Sequence, residues 1–531
     1  MTLPSLEALR QMSPDQLSQV ATDAVARMIA LTHRKPGHMA SSAGVAQLTV
    51  ALHALMDSPR DLLIWDVGHQ AYIHKLLTGR EGVFSNNREP DGPSGFPKRD
   101  ESPYDAFGTG HSSTALSALI GMARADALQS ISRKRVAVVG DGAFTSGMIY
   151  EAMNNAGGHG DDVLLILNDN GKAIEDNVGA LHNHKRYQAF ADSLNWSYLG
   201  DVDGRNMVDL LTALELAMDS KGPRMLRILT QRPSSNDLGI ASQAPSTNAF
   251  QKAFARSLIQ LAQEDKRIVG LTAAMATGCS LDDFRAVFPE RFFDVGIAEP
   301  HAITAAAGMA TQGLRPVVNM YSTFAQRAVD QWIHDVALQR LPVILCLDRA
   351  GIVGEDGSTH HGVFDLALFR AVPHTAIWAP RDEDSLREAM QQALAYGGPS
   401  IIRYPKGQVP DLPEPAQRGN QADVFQMGTG VVHWCMGTTI VDALREAATS
   451  DSVVDLRMIK PIAPALLERF AKNHYQWIVW EDAQAINGLG SALASWLAER
   501  GIQGIQCLRK GYPDRFIGHG PRETLIADNQ R

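Results

Sequence analysis

The chain has 531 residues, 45% hydrophobic and 20% charged, and carries a net charge of −9. That length suggests three domains of roughly 100–200 residues each, and the mild, mixed charge argues against nucleic acid as a partner. The four cysteines, Cys279, Cys346, Cys435 and Cys507, show neither metal spacing nor a disulfide framework. No apolar run reaches membrane-spanning length, and the first residues lack the basic flank and apolar stretch of a secretion signal, so a cytoplasmic protein is expected.

Residues 1–35 read as helix, with Ser13-Pro14-Asp15 as a start signal and Leu17, Val20, Val25, Met28 and Leu31 as a roughly helical stripe. Pro36-Gly37-His38 breaks it. The short apolar run before Gly68-His69 reads as a strand end. A third break, Gly108-Thr109-Gly110-His111-Ser112-Ser113-Thr114, precedes a small-residue helix from Ala115 to Ala127. Three histidines, His38, His69 and His111, thus sit at glycine-containing breaks. No acid or cysteine shares their spacing, so zinc is disfavoured. Polar contacts to a phosphate-bearing ligand suit them better, while a plain loop histidine remains an open alternative at each.

Val136 to Asn170 organises the chain. Val136-Ala137-Val138-Val139 reads as a buried parallel strand that hands over at Gly140-Asp141-Gly142 to a helix of about Thr145–Ala156, which Gly157 and Gly158 are expected to end. Val163 to Leu167 forms a second buried strand with Asn168-Asp169-Asn170 at its end. This is one βαβ unit, and open α/β sheets bind ligands at the carboxyl ends of such strands. The glycines let a bulky anion approach the backbone, and the helix start offers N–H groups and a positive dipole end to a phosphate. Asp141 and Asn170 supply hard oxygen ligands that suit Mg²⁺ shared with a diphosphate. Each triplet alone is more often a simple turn; the pair, at two ends of one unit, resembles the thiamine diphosphate signature.

WDVGHQAY, GHSST, GDGAFTSGM and ILNDN together resemble the N-terminal domain of the 1-deoxy-D-xylulose-5-phosphate synthase family, within the transketolase-like thiamine diphosphate superfamily. The resemblance implies that His69, Gly110, His111 and Ser112 contact the cofactor and that Asp141 and Asn170 hold Mg²⁺. It also implies that Gly142 and Ala143 line the diphosphate and that Ile174 props the cofactor into its bent shape. Two departures stand out. The family's long insertion after this point is missing, and so are its Lys/Gly-rich stretch with a tyrosine near residues 231–247 and a later lysine. That stretch, QRPSSNDLGIASQAPST, reads instead as a linker.

Ser246-Thr247-Asn248 is expected to cap a helix with Phe250, Phe254, Leu258 and Leu261 on one face. Further on, a strand ends at Asp294, and Glu299-Pro300 starts a helix. A lone glutamate there is ordinarily a dipole partner. The resemblance implies instead that Glu299 protonates the aminopyrimidine, although the family typically has Gln at position 300. It also implies that Phe324 stacks on that ring and that Tyr321, Arg349 and Arg403 bind the acceptor's phosphate. His38, His69, Arg327, Asp356 and His360 would handle the carbonyl side of donor and acceptor. Arg349 and Arg403 are expected at strand ends, where a guanidinium matches phosphate oxygens. After a proline-rich linker, residues 424–531 again alternate strands and helices, and resemble the transketolase C-terminal domain, with the stretch from Gly518 on expected to fray.

The expected fold is therefore α/β: three doubly wound α/β domains of the transketolase type. An N-terminal diphosphate/Mg-binding domain covers 1–231, a pyrimidine-binding domain 246–404 and a C-terminal domain 424–531. The function implied is a homodimeric carboligase that binds thiamine diphosphate and Mg²⁺. It would join pyruvate's two-carbon unit to a phosphorylated aldehyde, D-glyceraldehyde 3-phosphate. The rivals are a paralogue with another 2-oxo acid or aldehyde, favoured by the missing segments and Pro300, and a non-catalytic binding subunit, disfavoured by intact Asp141, Asn170 and Glu299.

Overall fold

The computed structural model describes the chain apart from residues 1–2, 33–36, 172–176, 235, 240–246 and 531, and apart from the side chains of 183–184. The chain falls into two compact units. The first is Met1–Ala244 with Gly296–Ala298 and Glu355–Thr359; the second is Pro245–Val295, Glu299–Gly354 and His360–Arg531.

The first unit is built on a five-stranded sheet: β1 (Leu62–Asp66), β2 (Arg135–Gly140), β3 (Val163–Asp169), β4 (Ser197–Asp203) and β5 (Pro223–Leu229), in the order β1-β2-β3-β5-β4. Every pairing is parallel. Parallel strands covered by helices on both faces are apolar throughout, and β3 is buried at all seven positions. One core cluster, with Leu17, Met28, Leu48 and Leu214, packs one face of the sheet, and another, with Leu119, Ile149 and Met153, packs against Ala137, Val139, Leu165 and Leu167 on the other.

The second unit holds two sheets. The larger uses β6 (Ile268–Thr272), β7 (Phe292–Asp294), β8 (Arg315–Tyr321), β9 (Ile344–Ala350), β10 (Ala376–Trp378) and β11 (Ser400–Pro405). The smaller uses β12 (Ala422–Gln426), β13 (Gly430–Cys435), β14 (Ser452–Leu456), β16 (His474–Gln484) and β17 (Gln506–Tyr512). The short strand β15 (Met458–Lys460) comes from the later stretch of sequence yet pairs antiparallel with β10, closing an edge of the larger sheet. One core cluster runs through both sheets, from Val318 and Leu345 to Trp434, Trp477 and Val479.

Several local expectations are corrected. The N-terminal stretch is two helices, Leu6–Leu9 and Pro14–Thr32, not one. Gly157 and Gly158 do not stop their helix, which runs from Gly147 to His159 and ends at Gly160 with φ +72°. Gly157 is needed for packing: a Cβ there would lie 1.7 Å from the Leu194 carbonyl oxygen. The Phe250–Glu264 helix starts from Ala249 with no side-chain cap, so Thr247-Asn248 does not cap it, and Ser246 lies outside the described residues. The C-terminus does not fray: Arg522–Asn529 is a helix, Leu525 is buried, and Arg522 Nε donates to the Ile352 carbonyl at 2.9 Å.

Candidate active site

In the first unit the chemistry gathers at the carboxyl ends of β1, β2 and β3. After Gly140 the chain turns into a short helix, Asp141–Phe144, and the Gly142 N–H folds back onto Asp141 Oδ1 at 3.1 Å. Asn177 Nδ2 donates to Asp141 Oδ2 at 2.8 Å. The sequence reading gave Asp169, the last residue of β3, no role. Arg227 of β5 grips its carboxylate through Nε at 2.8 Å and Nη2 at 2.5 Å, and the Gly171 N–H donates at 3.0 Å. Burial, and then the neighbouring Asp169 carboxylate, push Asp141 well above the usual carboxylate range, while Arg227 holds Asp169 below it against its own burial. Two touching buried carboxyls repel when both ionise; a divalent cation relieves that, and with half-buried Asn170 next to Asp169 in the chain the residue types suit Mg²⁺. Ile174 lies outside the described residues.

The glycine–histidine loops are fixed by a second acid, Asp66, to which the sequence reading assigned no role. Fully buried Asp66, ending β1, accepts the Ser113 N–H at 2.7 Å and the Ala115 N–H at 3.0 Å, capping the Ala115–Leu128 helix. Ser113 Oγ in turn donates to the Ala143 carbonyl at 2.7 Å, tying the Gly110–Ser112 segment to the Gly142-Ala143 turn. Gly110, at φ +154°, has no room for a Cβ, which would meet Thr359 at 2.7 Å, and His111 Nε2 lies 2.7 Å from the Thr359 carbonyl. His38 and His69 approach with ring centroids 6.0 Å apart, and His38 Nε2 lies 3.7 Å from Asp356 Oδ1. Arg88 grips Asp356 at 2.6 Å and Glu355 at 3.2 Å. No motif marks Arg88, an arginine at φ +69° in a polar loop. Burial, then the charges of His38 and Arg232, hold His69 down at about 3, so its ring is neutral near pH 7.

In the second unit Glu299 opens the Glu299–Thr311 helix, is 4% exposed, and has one carboxyl oxygen, Oε2, buried without a hydrogen-bond partner among the described residues. Burial raises its pKa, and the charge of Arg327 only partly offsets this. Four predicted residues form one continuous stack. The Arg349 guanidinium lies 3.9 Å from the Tyr321 ring centroid; Tyr321 stacks on Phe324 at 5.4 Å; His360 meets Phe324 edge-on at 5.5 Å. Arg403 is not among them. It sits inside β11, not at its end, and is 2% exposed. Its Nε donates to Asp365 at 2.8 Å, and its other nitrogens go to the Asp482 carboxylate and carbonyl. The strand-end placement expected of Arg403 is thus corrected: β11 continues past it to Pro405, and two buried aspartates occupy its guanidinium.

The family model for 1-deoxy-D-xylulose-5-phosphate synthase matches residues 1–189, the transketolase pyrimidine-binding domain matches 246–411, and the transketolase C-terminal domain matches 414–529. The 1-deoxy-D-xylulose-5-phosphate synthase of Dechloromonas aromatica is 39% identical over 592 aligned positions, covering 99% of this chain and 96% of its own. Those of Chlorobium luteolum and Magnetococcus marinus are each 40% identical, over 98% and 99% of this chain and 94% and 96% of their own. The chain belongs to the 1-deoxy-D-xylulose-5-phosphate synthase family. It does so as a short member: with 531 residues here against 592 aligned positions, at least 61 positions of the Dechloromonas alignment have no residue in this chain.

Proposed function

We propose that the chain decarboxylates pyruvate and joins the two-carbon unit to D-glyceraldehyde 3-phosphate, releasing CO₂ and 1-deoxy-D-xylulose 5-phosphate, with thiamine diphosphate and Mg²⁺ bound. The observation that carries this reading beyond family membership is the buried, unpartnered Oε2 of Glu299 at a helix start. Leaving such an oxygen unpaired costs stability, which suits a site completed by a ligand nitrogen. Bound thiamine diphosphate would supply the acidic thiazolium carbon that breaks and forms bonds beside a carbonyl.

Glu299, kept protonated more readily by burial, would give its proton to a ring nitrogen placed against it. Asp141 and Asn170 would hold Mg²⁺, with Asp169 adding to the negative field that keeps it there. Gly142 and Ala143 would line the diphosphate, and His69, Gly110, His111 and Ser112 would line the cofactor. Phe324, already stacked on Tyr321, would stack on the aminopyrimidine ring. Neutral His69, with His38, Asp356, His360 and Arg327, would orient the carbonyl groups, and Arg349 with Tyr321 would take the acceptor's phosphate. We further propose a homodimer working in the cytoplasm; among the described residues no helix is long and apolar enough to cross a membrane.

A second reading, a paralogue with another 2-oxo acid or aldehyde, is favoured by the occupied guanidinium of Arg403 and by the missing positions. The test is CO₂ release from pyruvate with both cofactors, measured across a panel of aldehydes. The first reading expects glyceraldehyde 3-phosphate to be consumed and 1-deoxy-D-xylulose 5-phosphate to form one to one, with CO₂ released in at least that amount. Turnover with a different aldehyde alone supports the second, and no CO₂ from pyruvate under any condition defeats the first.

A further inference from the structure

At the amino ends of β1, β2 and β5, the opposite end of the sheet from Asp141 and Asp169, the first unit contains a cavity of about 650 Å³. That is the size of a small-molecule site. Seven cationic side chains and four aspartates line it; Asp126, just outside the lining, pairs with Arg133 at 2.6 Å and Arg135 at 2.7 Å, which leaves an excess of two positive charges on a chain whose net charge is −9. Its acids are spoken for unevenly. Asp162 lies near three cations: Arg224 at 2.6 Å, Lys221 at 3.6 Å and Arg135 at 3.8 Å, the last held more closely by Asp126 at 2.7 Å. Two further cations meet no acid among the described residues. Arg60 donates to the Ser132 carbonyl at 3.0 Å and Lys134 to the Leu55 carbonyl at 2.6 Å, their contacts among the described residues. Arg224 is 3% exposed, and burial holds its pKa below the ordinary arginine value despite Asp162.

A focused positive field in a concave, partly desolvated site attracts and holds anions. We propose that this cavity binds a small multivalent anion of the phosphate or diphosphate class, at a site separate from the candidate active site. The six residues of β2 put roughly 20 Å between Arg135 and Asp141. Three strands nevertheless carry a group of each site. Arg135 opens β2, which leads into Asp141. Asp162 immediately precedes β3, which ends at Asp169. Arg224 and the Arg227 that holds Asp169 both lie on β5. An anion that tightens Arg135, Asp162 and Arg224 therefore pulls on the strands that place the acids.

Calorimetric titration with inorganic pyrophosphate, on the full chain without divalent cations, tests this. Wild type is expected to bind with saturation. Asp141→Ala is expected to keep that affinity, because without a cation the acidic end of the sheet repels pyrophosphate. Arg60→Glu combined with Lys134→Gln is expected to weaken binding at least ~10-fold, the scale of one lost charge-assisted contact. Unchanged affinity in the double variant, loss only in Asp141→Ala, or no saturable binding by wild type would each overturn the proposal. If the double variant fails to fold, a crystal soaked in tungstate decides: an anomalous peak between Arg60 and Lys134 supports the site, and an empty cavity rejects it.

Discussion

Glu299 and Asp141 are both buried acids held above the ordinary carboxylate range, but their neighbours differ. Asp141 touches a second carboxyl and sits at a strand end; Glu299 has the positive charge of Arg327 nearby and one oxygen with no hydrogen-bond partner among the described residues. Removing them should therefore fail in different ways. Asp141→Ala is expected to lose Mg²⁺-dependent thiamine diphosphate binding in calorimetry. Glu299→Ala is expected to bind the cofactor yet turn over at least ~100-fold more slowly, the lower scale of lost acid–base catalysis. Equal cofactor affinity in both variants, or near-normal turnover by Glu299→Ala, would contradict these roles.

His69 gives a pH test at the same scale. Folded, it takes up its proton only near pH 3; unfolded, near its ordinary 6.5. Between those values the unfolded chain binds more protons, so stability falls as pH drops through that window. His69→Gln removes this contribution. Urea unfolding from pH 7 to pH 3 should show the variant gaining on wild type, toward about 4 kcal/mol at the acid end. Parallel pH curves would show that the histidine is not held neutral.

At the scale of single elements, β11 separates what a motif suggests from what packing allows. Arg403 lies inside the strand with Asp365 and Asp482, 38 and 79 residues away, around its guanidinium. Arg403→Ala strands two buried acids, and breaking such a pair costs about 3–5 kcal/mol. The expected result is a large drop in the urea midpoint. The KM for glyceraldehyde 3-phosphate should stay close to wild type in whatever fraction remains folded. A stable variant with a raised KM for the phosphorylated aldehyde alone would restore Arg403 as a phosphate ligand. The case also shows where sequence reading stops. The apolar runs of β2, β3 and β9 are legible because burial on both faces needs them. Whether an arginine ends a strand or lies within it depends on distant partners. The Gly157-Gly158 pair misleads for the same reason: the close approach of Leu194, which makes glycine necessary, is a tertiary fact. Asp66, Arg88, Asp169 and Arg227 were given no role because their work is to hold other residues in place, and each finds its partner through the fold, not by spacing.

For the whole molecule the decisive feature is its economy of length. At least 61 aligned positions present in the Dechloromonas relative are absent here, and the sequence places two departures after the candidate Mg²⁺ ligands. Mobile segments of active sites exclude water and gate turnover. A chain that lacks them should release CO₂ from pyruvate at an appreciable rate with no aldehyde present. Decarboxylation that depends strictly on added aldehyde would show that gating survives in what remains. The most direct measurement of the proposed reaction is the carbon-13 spectrum of its product. Wild type is incubated with [2,3-¹³C₂]pyruvate, D-glyceraldehyde 3-phosphate, thiamine diphosphate and Mg²⁺. The prediction is a labelled methyl–ketone pair within 1-deoxy-D-xylulose 5-phosphate, absent when the aldehyde is omitted. Label that never joins the phosphorylated aldehyde, whatever happens to the pyruvate, would contradict it.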